Sequence, residues 1–352
     1  MTATLIVSAC DTGSANALAP VLSRLSCHYH LIAQQAAARV FDRWGIPYQP
    51  MDPIVDWEYL LDTGRQVLAK VDAKALVAGT SWGPSLDKAL TLAAREEGIP
   101  CAALVEHWDL YMERFSLTEN GHIRQAACFL PDRVWVNDTT ARAEAMTAGV
   151  PVETIDVVGQ PHLEMQLQAL RRVNVEQPGR GIVFISERVR DDFVQGSPLY
   201  RGFDEFEVLG KLLDVIDLAN TPLLVKLHPQ EEERKFDDLI DGRENVRVVK
   251  KADNVELIAK AGRVVGMFSM LLLEAALVRD DVISFMPGGD ASVFVGNRLG
   301  ATRPATTDGE LKRLLADHGA VVAGGSLGVT PFGKQFVGSA ARMAEAIEGM
   351  MQ

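Results

Sequence analysis

Two stretches decide how this chain is built: Leu223-Leu224-Val225-Lys226-Leu227-His228-Pro229, and Arg263-Val264-Val265-Gly266-Met267-Phe268-Ser269 with the apolar run Met270–Val278 behind it. Each opens on a short aliphatic run of strand type and ends on polar residues. Pro229 restrains His228 towards an extended backbone, which aims the imidazole out of the strand end. There it can donate to a phosphate oxygen, or simply satisfy a turn carbonyl. Ser269 fits the cap of the helix that starts at Met270. The unpaired N–H groups and partial positive charge of a helix start suit phosphate. Glu274 is a charge inside an apolar helix and needs a partner, either a ribose diol or a buried cation.

Outward from these stretches the pattern repeats. In the second half, strands are expected at Ile182–Ile185, Leu223–Leu227, Val246–Val249, Arg263–Gly266 and Val282–Phe285. Helices are expected at Phe203–Leu218, Glu231–Ile240, Val255–Ala261, Leu271–Val278, Gly309–His318 and Gln335–Met351. The first half alternates in the same way, with strands at Thr4–Ala9, Tyr29–Ala33, Ala75–Ala78, Cys101–Val105, Arg133–Val136 and Thr154–Val158. Its helices fall at Ala15–Leu25, Ala36–Trp44, Trp57–Val71, Leu86–Glu97 and Thr140–Ala148, with Pro20 an objection inside the first. Such alternation implies right-handed βαβ units and parallel sheets. Gln177-Pro178-Gly179-Arg180-Gly181 reads as the linker. The expected division is residues 1–170, residues 171–334, and a final helix at 335–352 returning to the first domain. The fold class is α/β, two Rossmann-like domains facing across a cleft.

Ligands of doubly wound domains lie outside the C-terminal strand ends, so three further segments stand out. The turn Cys10-Asp11-Thr12-Gly13 follows the first strand. Gly13 permits close approach of a ligand, and Asp11 can serve as a general base or as a helix cap. Glu106-His107-Trp108-Asp109-Leu110-Tyr111, with Arg114 and Phe115, follows Cys101–Val105. Trp108 and Tyr111 can wall a sugar site, with His107 a reserve base, or the loop can be packed by its own aromatics. Ile185-Ser186-Glu187-Arg188 offers Glu187 as a base and Arg188 to a diphosphate, or is a solvated loop. The run Glu231-Glu232-Glu233 is expected to be a solvated first helical turn, favourable to the helix dipole.

The arrangement of Lys226-Leu227-His228-Pro229, a helical segment, and strand–Ser269–helix–Glu274 resembles the donor domain of GT-B glycosyltransferases. It is similar to bacterial capsule, teichoic-acid and sialic-acid transferases with HP and serine motifs. The segments Pro131–Asp138 and Val158-Gly159-Gln160-Pro161 resemble those of polysaccharide-biosynthesis proteins of this fold. The resemblance implies that His228 and Ser269 bind a donor phosphate, with Lys226, Pro229 and Met270 beside them, and that Glu274 holds the ribose. It implies a metal-independent transferase with no cofactor. Its partners would be a nucleotide-sugar donor, with a leaning to CMP, and a glycan or lipid-linked acceptor in surface polysaccharide biosynthesis. Met270 stands where a second Ser or Thr often follows. An alternative is a UDP-N-acetylglucosamine 2-epimerase-like isomerase. The DSGG-x-x-EE segment usual in that family is replaced here by Phe268-Ser269-Met270-Leu271 and the single Glu274. A third is a silent sugar-nucleotide-binding protein.

Composition narrows the classes. The chain has 352 residues, 47% of them hydrophobic, enough for two cores. Its formal net charge of −12 argues against nucleic acid as a partner. The four cysteines form no C-x-x-C pair, and a metal site or disulfide framework is not expected. The start Met1–Gly13 lacks the basic and apolar regions of a signal peptide, and no run reaches the ~20 apolar residues of a membrane span. A cytoplasmic protein is expected, with only peripheral membrane contact if its acceptor is lipid-linked.

Overall fold

The computed structural model describes residues 4–54, 56–81, 83–119, 122–175, 179–197, 199–317 and 325–352. It separates into two compact units, Met1–Glu164 with Phe336–Gln352, and Met165–Gln335. Gln177 and Pro178 of the expected linker lie outside the described residues.

Unit 1 carries β1 (Thr4–Ala9), β2 (His28–Gln34), β3 (Gln49–Met51), β4 (Ala73–Ala78) and β5 (Cys101–Leu104), then a hairpin of β6 (Ser116–Glu119) and β7 (His122–Cys128), then β8 (Arg133–Val136) and β9 (Ile155–Val157). Apart from the hairpin, these form one seven-stranded parallel sheet in the order β3-β2-β1-β4-β5-β8-β9. Successive side chains of a strand face opposite ways, and β1 shows it. Leu5, Val7 and Ala9 pack into the core beneath helix Thr12–Leu22 and the C-terminal helix Ser339–Met350. Ile6 faces the core shared with Trp57–Val71 and Leu86–Glu96. The C-terminal helix starts at Gly338, which has no capping side chain. The buried Glu164 carboxylate replaces it, accepting the Gly338 and Ala340 N–H groups at 2.8 Å each.

Unit 2 opens with β10 (Asn174–Val175), then β11 (Ile182–Ile185), β12 (Leu223–Lys226), β13 (Val246–Val249), β14 (Arg263–Gly266), β15 (Ile283–Phe285) and β16 (Arg303–Ala305). The strands β11 to β16 form a six-stranded parallel sheet in the order β13-β12-β11-β14-β15-β16, and β10 pairs antiparallel with β17 (Gly325–Ser326). Helix Glu205–Val215 is capped by Asp204, and Asp308–Ala316 by a Thr307/Glu310 capping box. In both units the strand order reverses beside the first strand, between β1 and β4 and between β11 and β14. Such reversals open a crevice at the C-terminal strand ends, where ligands of open α/β sheets bind.

Several expected helices change: the last begins at Ser339, after the left-handed Gly338, rather than at Gln335, and Phe203–Leu218 narrows to Glu205–Val215. Helix Thr12–Leu22 holds Pro20 in its last turn and stops at Leu22 rather than Leu25. The expected helix Glu231–Ile240 shrinks to one turn, Asp237–Ile240, because Glu231 folds back under His228 instead of opening a helix.

Candidate functional site

In unit 1 the reversal point gathers carboxylates. Asp87, in helix Leu86–Glu96, is buried beneath the end of β1. It accepts the Ser8 hydroxyl at 2.7 Å and the Cys10 N–H at 3.2 Å. Burial pushes its carboxyl up to about 6, and the charge of Asp11 adds to the rise. Asp11 caps the first helix, accepting the Ser14 N–H at 2.8 Å, and is itself partly exposed. The turn behind it can run this close to β4 because residue 79 is glycine: a Cβ there would stand 2.5 Å from the Ser14 Cβ.

Glu106, one residue beyond Val105 and 11% exposed at its side chain, lies over Gly13. A Cβ at Gly13 would meet its Oε1 at 3.0 Å. The Thr80 hydroxyl lies 3.2 Å from Glu106 Oε2 and 3.0 Å from the Leu104 carbonyl. Arg114, 3% exposed, donates from Nη1 to Glu106 Oε1 at 3.2 Å and to Thr80 Oγ1 at 3.1 Å. Its Nη2 donates to Asp109 Oδ1 at 3.2 Å. Burial raises the Glu106 carboxyl above the ordinary range; Arg114 opposes the rise and Asp11 reinforces it. Burial acts on Asp109 in the same direction, but the hydrogen bonds and charges of His107 and Arg114 outweigh it and hold that carboxyl near 2. His107 Nδ1 sits 3.1 Å from Asp109 Oδ1.

The aromatic wall expected from Trp108 and Tyr111 meets rings already covered by protein. Trp108 is 1% exposed, donates its indole N–H to Asp138 at 2.7 Å and packs edge-on against Phe336. The buried Tyr111 turns its hydroxyl to Glu144 at 3.2 Å. Both rings serve the packing of the loop. The same loop presents Glu106 and Arg114, two residues quoted in the sequence but not singled out there for proton chemistry.

In unit 2, Glu187 leaves β11 and reaches the loop after β14. The Phe268 N–H donates to its Oε2 at 2.9 Å. Burial pushes this carboxyl up to about 8, against the pull of the Phe268, Met267 and Ser269 N–H groups, while the charge of Glu231 adds to the rise. Ser269 caps helix Met270–Ala276, its hydroxyl accepting the Leu271 N–H at 3.2 Å. Met270 opens that helix and Glu274 lies partly exposed within it.

His228 is held from below. Its N–H donates to Glu231 Oε2 at 2.7 Å. Its Nδ1 accepts the Gln230 N–H at 3.2 Å. With Nδ1 accepting, the proton of the neutral ring sits on Nε2, which is left as a donor. Burial lowers the His228 pKa, which favours that neutral form; Glu231 opposes the effect. Pro229 follows in the turn. Lys226, expected beside the phosphate, is buried and donates to the carbonyls of Leu227 at 2.8 Å and Lys250 at 3.0 Å. It therefore braces the strand end.

Glu231 corrects the solvated-turn expectation. It is 3% exposed, and it accepts the Ser186 hydroxyl at 2.9 Å and the Lys235 ammonium at 2.6 Å. Lys235 also pairs with the fully buried Glu205, which accepts the Arg190 N–H at 2.8 Å. One buried carboxylate thus ties the ends of β11 and β12 together. A run of three glutamates gives no local sign that its first member turns inward.

No protein-family model and no curated protein matches the chain. Solved structures do. The UDP-GlcNAc 2-epimerase of Methanocaldococcus jannaschii aligns over 99% of this chain and 100% of its own at a TM-score of 0.66 and 13% identity. That of Neisseria meningitidis, bound to UDP-GlcNAc, aligns over 98% and 100% at a TM-score of 0.66 and 10% identity. The glycotransferase of kitacinnamycin aligns over all of both chains at a TM-score of 0.56 and 12% identity. At these identities the likeness establishes the architecture, a two-unit α/β fold of the GT-B type.

Proposed function

We propose that this chain is an isomerase of a UDP-linked amino sugar, inverting the sugar at C2 in the manner named for the epimerases that share its fold. The observation that carries it is the placement of Glu106 against Gly13, bonded to Arg114 and raised further by the charge of Asp11 two residues before that glycine. Inversion at C2, which has no adjacent carbonyl, needs a base to take its proton while the electron pair expels UDP from C1, and a proton returned on the other face as the C1–O bond re-forms. A hydroxyl acceptor needs only one base. Two neighbouring carboxylates in unlike environments, one buried and one partly exposed, suit that double task. In this reading unit 2 holds the nucleotide, with the Nε2–H of His228 donating to a phosphate oxygen, Ser269 nearby and Glu274 on the ribose. Neither role calls for a metal.

Glycosyl transfer from a nucleotide-activated sugar is the second reading. The single Glu274 behind Phe268-Ser269-Met270-Leu271 favours it, as does the full-length likeness to a glycotransferase. Incubation with UDP-N-acetylglucosamine in deuterium oxide, without any acceptor, separates the two. Isomerisation places deuterium at C2 and yields the epimeric sugar, both visible by NMR. Unlabelled C2 and turnover only when an acceptor saccharide is added would overturn the isomerase reading.

A further inference from the structure

Three arginines lie between β11 and helix Glu205–Val215, and they are treated differently. Arg188 faces Asp191 at 3.2 Å and Asp192 at 3.6 Å and donates to Gln230 at 2.6 Å. Arg190 pairs with Asp204 at 2.6 Å and lies over the Phe206 ring at 3.9 Å. Arg201 has no carboxylate within ion-pair distance among the described residues, and its Nε is buried without a hydrogen-bond partner. A guanidinium nitrogen buried without a partner costs free energy unless a ligand supplies one.

Packing holds Arg201 in place of charge. Its guanidinium lies 4.6 Å from the centre of the Phe193 ring and 6.0 Å from that of Phe268. Those two rings meet edge to face at 5.6 Å, and Phe203 joins Phe268 from another side at 6.4 Å. Aromatic faces attract and orient a guanidinium while leaving its N–H fork unspent. Position matters as well. Phe268 sits between Gly266, the last residue of β14, and Ser269. The Arg201 carbonyl lies against the loop after β15, where a Cβ at Gly289 would come within 3.4 Å of it and within 2.7 Å of the Phe203 ring. The arginine therefore stands at the C-terminal strand ends, on the ligand side of the sheet.

We propose that Arg201 is a binding residue for the diphosphate of the ligand, clamped by Phe193 and Phe268 so that its fork meets the anion already oriented. This rests on the nucleotide reading above and adds the cation that the buried Lys226 does not supply. A guanidinium paired with phosphate forms charge-assisted, bidentate bonds. Removal of one is expected to weaken binding by about 10- to 100-fold.

The test is calorimetric titration of the full chain with uridine, UDP and inorganic pyrophosphate, for wild type, Arg201→Ala, Arg201→Lys and Phe193→Leu. Thermal unfolding of each variant confirms that it is folded. Arg201→Ala should lose UDP and pyrophosphate affinity, keep uridine affinity and show a shallower dependence on salt. Arg201→Lys should recover part of the loss, and Phe193→Leu should show an intermediate one. Equal UDP affinity in wild type and Arg201→Ala overturns the proposal and leaves the nucleotide reading intact. Arg201-dependent binding of pyrophosphate with no binding of UDP supports the proposal and overturns the nucleotide reading. An equal loss for all three probes marks Arg201 as scaffold and overturns the proposal.

Discussion

Glu187 Oε2 accepts the Phe268 N–H at 2.9 Å, so a single carboxylate from the end of β11 ties down the loop that leaves β14. With its carboxyl pushed up to about 8, the folded chain holds this proton where the unfolded chain has released it. A raised folded pKa contributes stability that is fully present below the unfolded value and is lost as pH rises through the folded one. Thermal unfolding should accordingly show stability falling between about pH 4.5 and pH 8. Glu187→Gln should flatten that slope and unfold at a higher temperature than wild type at pH 9. An unchanged slope would show that Glu187 is not the group responsible.

The Glu231 carboxylate anchors His228, Ser186 and Lys235 together. Replacing one partner of a buried charge network strands the others, at a cost of about 3–5 kcal/mol. Glu231→Ala should lose stability on that scale in chemical denaturation, and its nucleotide affinity should fall with it because the His228 turn loosens. By contrast, Glu232→Ala, at an exposed position, should be close to neutral.

His228 presents Nε2–H as its donor. His228→Ala should weaken UDP binding by about 10- to 150-fold, the range for one hydrogen bond to a charged oxygen. His228→Gln, which can still donate, should fall between the two. A variant that binds UDP as wild type does would remove His228 from the nucleotide site.

Glu106→Gln keeps the shape and the contacts to Thr80 and Arg114 while removing the basic oxygen. Turnover should fall by about 100- to 10,000-fold with UDP affinity nearly unchanged. Asp11→Asn separates capping from chemistry, since Asn caps helices about as well as Asp. The melting temperature should hold while turnover falls. A near-normal rate in Asp11→Asn would leave Asp11 as a cap alone.

The sequence by itself determined the local elements. Aliphatic runs bounded by Gly45, Gly98 and Gly149, all left-handed in the structure, mark strands and helix ends because those signals act within a few residues. The alternation of strands and helices was enough for two parallel sheets, and the strand ends pointed to Asp11, Glu187, His228 and Ser269. What only the tertiary structure decided depends on distant contacts. Trp108 looks like a sugar wall until Asp138 and Phe336 cover it. Glu231 looks solvated until Ser186 and Lys235 arrive from other segments. Glu106 gains its raised pKa from burial over Gly13 and the charge of Asp11, about a hundred positions away in the chain. Arg201 differs from Arg188 and Arg190 in having no carboxylate partner among the described residues and a buried, unpartnered Nε. Burial and pairing are properties of neighbours in space, and no local pattern of residues carries them.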